Sequence, residues 1–437
     1  MATDRVPANQ APVLEHRGPY AVGLATLLSL LAGRGFYRLS QLAATVVLLP
    51  IWGATYGTYA AAVASSSWLI ALVSTGPEKT ALKLVPRARR TAGLITQALL
   101  AFASVLPVPL VVAFGALLAV HPSGAATVYI GAAAWQLATG CTLLLVGLHR
   151  AAGRVSVDAR TFLIMSATQL VMLALAGVGG LQPVGYVAGL TAVQVGLNVV
   201  LVAALGRPSL RIRQRPGYLR RLAWTAALMG GGDVCLYLSN AVLFAMLAAS
   251  TWVGQVGPLF VLEVIWFAAV NLLIYVLRVY APRTSLRQAG RAGHQGRQRA
   301  ARLGRVAVAG NAAWLVATVG VLVLAPAPAA LPTFGDVLLW TVLLLTRTPA
   351  LITLIWAGYL LENTDAAATR ITGVAALVGL ATATVAGVPL VAQFGAVGLI
   401  ASFAVADLAQ ALVLATMARS VRSARPQDRR VVAGTGG

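Results

Sequence analysis

The sequence predicts an all-α polytopic membrane protein, with about twelve transmembrane helices in two six-helix sets. Three observations lead there. The chain has 437 residues, of which 59% are hydrophobic and only 10% charged, against about 25% charged in soluble domains. Its apolar residues gather into runs of about 20, the length that crosses a bilayer. Its 33 Lys and Arg lie outside those runs or interrupt them.

The runs fall at 34–53, 56–76, 92–118, 124–148, 161–180, 184–206, 221–246, 250–277, 304–326, 337–360, 371–390 and 393–417. Positive charge then orients them. The turns at 53–56, 119–123, 181–184, 247–250, 327–336 and 390–393 hold no Lys or Arg. The alternate connections carry Lys79, Lys83, Arg87, Arg89 and Arg90, then Arg150, Arg154 and Arg160, then Arg207 to Arg221, then Arg283 to Arg305. The tail adds Arg419, Arg422, Arg425, Arg429 and Arg430. Basic loops stay in the cytoplasm, so the alternation puts both termini inside. The same loops would meet anionic membrane lipids. The net charge of +22 would suit a nucleic-acid binder, but charges placed as topology markers exclude that class.

Residues 1–33 read as a cytoplasmic N-terminus with an interfacial helix, or as an extension of the first span bent at Gly33 or Gly35. A cleaved signal peptide is not expected. The first bundle is 34–206, a basic linker follows at 207–220, and the second bundle is 221–417. It contains the longest hydrophilic stretch, 281–303, read as a mobile cytoplasmic loop, and 418–437 is a cytoplasmic tail. Val184–Ala188 and Phe394–Gly398 open the sixth and twelfth spans with similar small residues, a faint sign of repeated halves. Cys141 and Cys235 lie inside apolar runs and read as small apolar residues, with no disulfide expected.

Polar groups inside the spans carry the functional signal, because a charge in hydrocarbon costs about 2.5–3.5 kcal/mol and faces a cavity or a partner. Arg34, Arg38, Gln41 and Thr45 fall within about 60° of one another on a helix, one stripe up the first span. Arg34 either snorkels to the interface or joins the cavity; Arg38 is deeper and better placed to contact an anion. Arg347 sits nearly halfway through the tenth span beside Pro349. It reads as a substrate or cavity residue, or as half of an ion pair with an acid on another helix. Asp233, Tyr237 and Asn240 share a face of the seventh span after three glycines, and Glu263 lies in the eighth. These acids, with Asp407 in the last span, are proton or cation sites, or counterions to the arginines. Thr191, Gln194 and Asn198, and Gln410, are candidates for linking helices by hydrogen bonds.

Three short segments resemble the multidrug/oligosaccharidyl-lipid/polysaccharide exporter (MOP) superfamily, particularly its polysaccharide-exporter and O-antigen-flippase branch. Gly53-Ala-Thr-Tyr-Gly-Thr-Tyr-Ala60 follows the first span, Gly147 to Arg154 follows the fourth, and Val391 to Gly398 precedes the twelfth. The resemblance implies two bundles around a central cavity that alternates between inward- and outward-open states. It implies a flippase for an anionic lipid-linked glycan, bound by Arg34, Arg38 and Gln41 in one lobe and Arg347 in the other, working beside glycan-assembly enzymes. No cofactor is expected beyond a proton or sodium gradient or the membrane potential. The Ala- and Arg-rich usage is the style of a high-GC bacterium, which places the chain in a bacterial cytoplasmic membrane.

The alternative within the superfamily is a multidrug or other small-molecule exporter, less well matched to a positive cavity. A polytopic glycosyltransferase or polysaccharide polymerase would need catalytic groups on its outer loops. Those are short, with Asp336 and His121 nearly their whole ionisable content. A scaffolding role would leave the buried charges unexplained.

Overall fold

Backbone N–H and C=O groups inside a bilayer find no water, so each apolar run must satisfy them internally as a helix. The computed structural model describes residues 24–86, 91–205, 216–288, 293–324, 332–364 and 366–420. Thirteen α-helices order these residues. The first half contains α1 (Leu24–Trp52), α2 (Ala54–Ser66), α3 (Trp68–Leu84), α4 (Ala92–Val105), α5 (Pro107–Val120), α6 (Ala125–Ala151), α7 (Ser156–Gly179) and α8 (Pro183–Leu205). The second contains α9 (Pro216–Ala248), α10 (Val256–Arg287), α11 (Gly293–Leu324), α12 (Phe334–Glu362) and α13 (Ala366–Ser420).

Nine helical stretches among the described residues are long and apolar enough to cross a membrane. Twelve spans follow when α13 is divided at its kink and α1 and the α2–α3 pair are added; the polar stripe lowers the hydropathy of α1, and the α2–α3 span is split into helices of 13 and 17 residues. Span α2–α3 is interrupted at Ser67, and α4–α5 at Leu106, before Pro107.

Several elements can be set against the sequence reading. Of the two readings of the stretch before Arg34, the structure has the extension of the first span from Leu24 onward and not a separate interfacial helix, since α1 runs from Leu24 to Trp52. The eleventh and twelfth spans are two helices with almost no loop between them, as the sequence reading had it. The chain breaks at Gly395, whose φ of 55° and ψ of −127° are not helical and lie in a region open to glycine. It folds back there, so that Gly379 lies against Ala406 and Gln410. Much of the hydrophilic stretch 281–303 is helical, since α10 continues to Arg287 and α11 starts at Gly293. Expectations for residues 1–23, Arg87, Arg89, Arg90, Arg207 to Arg215 and the tail beyond Ser420 lie outside the described residues.

Each half has its own apolar core. Leu243, Trp314, Trp340, Leu354 and Phe403 belong to that of the second half; Val73, Ile95, Leu144 and Phe162, with a second group around Trp52 and Tyr186, belong to the first. Outward-facing Val178, Leu324 and Phe334 are exposed and form part of a lipid-facing apolar surface. The halves meet at the end of the molecule that bears the basic connections. There Leu30 and Ala159 pack on Tyr275 and Val279, and Leu82 and Ala151 pack on Ala281. A close backbone approach between the halves joins α3 to α9: a Cβ placed on Gly76 would lie 2.2 Å from the Ala226 carbonyl oxygen. Only the absence of side chains at Gly76 and Gly230 permits this crossing.

Candidate functional site

The polar stripe of α1 is a hydrogen-bonded ladder, as three- and four-residue helical spacing allows. Arg38 Nη1 donates to Gln41 Oε1 at 2.9 Å, Gln41 Nε2 to the Tyr37 hydroxyl at 3.0 Å, and Thr45 Oγ1 to the Gln41 carbonyl at 2.9 Å. The ladder faces a cavity of about 260 Å³ between the halves. Arg38, Gln41, Trp135 and Gln136 line it from the first half; Tyr237, Asn240, Glu263 and Asn271 line it from the second. It runs from Tyr59 and Phe260 near the non-basic end down to Arg34 and Arg278.

Below the cavity, toward the basic end, four cations alternate with four carboxylates in one chain of ion pairs. Arg34 Nε meets Asp158 at 3.3 Å, and Asp158 also meets Arg150 Nε at 3.1 Å. Arg150 pairs with Glu78. Glu78 accepts from Arg278 at 2.9 Å, and Arg278 reaches Asp233 at 2.8 Å. Lys79 then joins Asp233 at 3.2 Å to Glu362 at 3.0 Å. Glu78, Lys79, Arg150 and Asp158 come from the first half, and Asp233, Arg278 and Glu362 from the second. Tyr275 adds a cross-half hydrogen bond, its hydroxyl donating to Asp158 at 3.0 Å. The Arg34 guanidinium lies between the rings of Tyr275 and Phe162, 3.7 and 4.2 Å from their centroids. Lys83 donates to the Glu362 carbonyl oxygen. Charges this poor in water are stable only because each has a partner.

Arg347 lies in the second half, away from the main cavity's lining. It is 2% exposed, and its Nε donates to Asp407 Oδ2 at 2.8 Å. The rings of Phe403, Trp266 and Trp314 surround its guanidinium at 4.4, 4.9 and 5.5 Å. A gap about the size of one water separates it from the cavity wall, bordered by Tyr237, Asn240 and Glu263. Glu263 therefore lies between the cavity and the Arg347–Asp407 pair.

Of the residues singled out in the sequence, Arg34, Arg38, Gln41 and Glu263 meet at the cavity, while Asp233 enters the ion-pair chain. Arg347 and Asp407 partner each other. Gln194 and Asn198 of α8 hydrogen-bond to Thr142 of α6. Lys79, Lys83 and Arg150 were expected in loops; they lie on α3 and α6, which extend further toward the basic end than the apolar runs do. Glu78, Asp158, Arg278 and Glu362 escaped the sequence reading. Their signal was the scarcity of acids: the chain has 11 Asp and Glu, and four of them are in this one chain. Among the described residues no group of His, Cys, Asp and Glu is arranged to hold a metal ion. Cys141 and Cys235 are unbridged.

No family model matches the chain, and no curated protein does. Solved structures do. One described only as "protein A" superimposes with a TM-score of 0.63 at 15% identity, covering 93% of this chain and 98% of the other. A MATE structure in complex with MaL6 gives 0.59 at 12% identity, covering 93% and 97%. A MOP superfamily transporter from Pyrococcus furiosus Vc1 (DSM3638), described as having a binding pocket of reverse polarity, gives 0.55 at 13% identity with the same coverage. The chain thus has the two-bundle, multi-pass membrane fold of these transporters.

These matches correct the expected branch. The fold is shared with MATE structures, and the polysaccharide-exporter and O-antigen-flippase reading, with its anionic lipid-linked glycan and glycan-assembly enzymes, is not supported. The physical reason lies in the motifs themselves. Gly53, Gly153 and Gly395, one in each segment, all adopt positive φ, at 51°, 82° and 55°. The motifs therefore record turns and a kink that the fold requires, and carry no information about cargo. The cavity is also less positive than its arginine count suggests, because acids neutralise Arg34 and Arg278 while Glu263 opposes Arg38.

Proposed function

We propose that the chain is a secondary transporter that exports small molecules by alternating access, with the basic end in the cytoplasm. One observation carries this: a polar cavity between two halves whose inner ends are clasped by ion pairs and close packing. In this reading the structure is the outward-facing state, and Arg34 and Asp233 belong to the inner gate. Arg38 and Gln41 contact substrate, while Arg347 and Asp407 brace the second half behind Glu263. Both termini are cytoplasmic, the membrane is a bacterial inner membrane, and a proton or sodium gradient supplies the energy. The bundles are 34–206 and 221–417. The MATE likeness supports this reading at the level of fold, and it favours small-molecule export over glycan flipping.

The test joins transport to the gate. Bacteria expressing the chain should extrude the dye ethidium or rhodamine 123 faster than controls, and an ionophore should abolish the difference. In a background lacking Cys141 and Cys235, a Lys79→Cys/Asp233→Cys pair joined by a short bismaleimide should stop export. Continued export with the halves joined, or no ionophore-sensitive export of a dye panel, would sink the proposal.

A further inference from the structure

We infer that the cavity selects zwitterionic small molecules, seating an anionic group on Arg38 and a cationic group on Glu263. The inference rests on the transporter reading and names the substrate class of that cavity.

Three cations and one acid line the cavity: Arg34, Arg38, Arg278 and Glu263. Arg34 is matched by Asp158, and Arg278 by Glu78 and Asp233. Arg38 donates to the neutral Gln41, and among the described residues no carboxylate lies within 4 Å of it. Glu263 is 8% exposed and likewise has no cation within 4 Å among the described residues. Glu263 is held by a hydrogen bond with Asn240 and feels Arg347 at longer range. Among the described residues neither it nor Arg38 has an ion-pair partner, and the two do not pair with each other. Beside Glu263, the buried Asn240 Oδ1 has no hydrogen-bond partner among the described residues. The second half therefore offers a carboxylate and an amide oxygen, both acceptors for a protonated amine or amidine. The first half offers a guanidinium already oriented by Gln41, a donor suited to a carboxylate or phosphate.

A purely cationic ligand would satisfy Glu263 and meet the positive field of Arg38; a purely anionic one would do the reverse. Either leaves one charge without a partner in a site poor in water. A molecule carrying both signs satisfies both, and its body would lie against Tyr37, Trp135 and Phe267. Arg38 belongs to α1 and Glu263 to α10, in opposite halves, so such a ligand would span the interface that has to move.

Three dyes with one tricyclic scaffold test this. Rhodamine 110 is zwitterionic, its methyl ester rhodamine 123 is a cation, and fluorescein is an anion. Fluorescence polarisation with the purified full chain in lipid nanodiscs should show rhodamine 110 binding about tenfold or more tighter than either of the others, the worth of one charged hydrogen bond. Arg38→Gln should bring rhodamine 110 down to the affinity of its ester while ester binding persists, which also reports that the variant is folded. Glu263→Gln should remove the preference over fluorescein and leave fluorescein binding intact. Equal wild-type affinity for rhodamine 110 and either singly charged dye overturns the inference. So does a variant that weakens all three dyes alike, or a wild-type chain that binds none. Ionophore-sensitive dye export is read separately, so the substrate class can fail while the transporter reading stands.

Discussion

Arg347 illustrates what burial does to a single charge. Its depth in α12 was legible from sequence, and so were the two roles such depth allows. Its partner was not, because Asp407 is 60 residues away on α13 and only the packing of the two helices joins them. The ring contacts and the 2.8 Å ion pair are what support the bracing role proposed for it. Arg347→Leu is expected to cost about 3–5 kcal/mol by leaving Asp407 buried without a counterion. Arg347→Leu/Asp407→Leu should recover most of that loss, since the uncompensated charge is gone. Thermal unfolding of the purified single and double variants decides it; additive losses in the double variant would deny the coupling. Arg38 has a different fate on similar chemistry, because its stripe turns toward the cavity and finds Gln41 in place of an acid.

Among the elements, α3 and α9 decide how the halves meet. Gly76 and Gly230 let the two helices touch backbone to backbone just below the cavity, where the ion pairs begin. A methyl group at Gly76 has no room, at 2.2 Å from a carbonyl oxygen that belongs to a helix and cannot swing aside. Gly76→Ala should therefore push the inner ends apart without disturbing either bundle core. With Asn271→Cys as a reporter in the cavity and Cys141 and Cys235 replaced, a membrane-impermeant maleimide applied from the cytoplasmic side should label the Gly76→Ala variant faster than its parent. Unchanged labelling would show that the crossing does not hold the gate. The glycines were visible in the sequence, but their role needed the partner helix: small residues permit close packing without specifying what approaches.

For the whole molecule, the two sides of the membrane are the testable quantity. In the same cysteine-free background, Arg154→Cys and Arg283→Cys, both at exposed positions, should react from the cytoplasm, and Pro122→Cys and Pro332→Cys from the opposite face. A reversed pattern at any one position would break the N-in, C-in topology. The span count was legible because it follows from local chemistry: apolar run length, the need to bond the backbone internally, and the alternation of Lys and Arg. The tight turn between the last two spans is made at Gly395, since a single glycine in a non-helical conformation can replace a loop.

By itself, then, the sequence determined the class of protein, the number of spans and the residues too polar to face lipid, all properties that the bilayer imposes locally along the chain. The tertiary structure decided which of those residues meet. Glu78 reaches Arg278 across 200 positions, Lys79 reaches Glu362 across 283, and Arg34 is claimed by Asp158 while Arg38 is not. It also separated motif from cargo, since the segments resembling polysaccharide exporters mark backbone turns shared by the fold. Pairing of charges depends on helix packing, and no spacing within a helix encodes the face that another helix will bring.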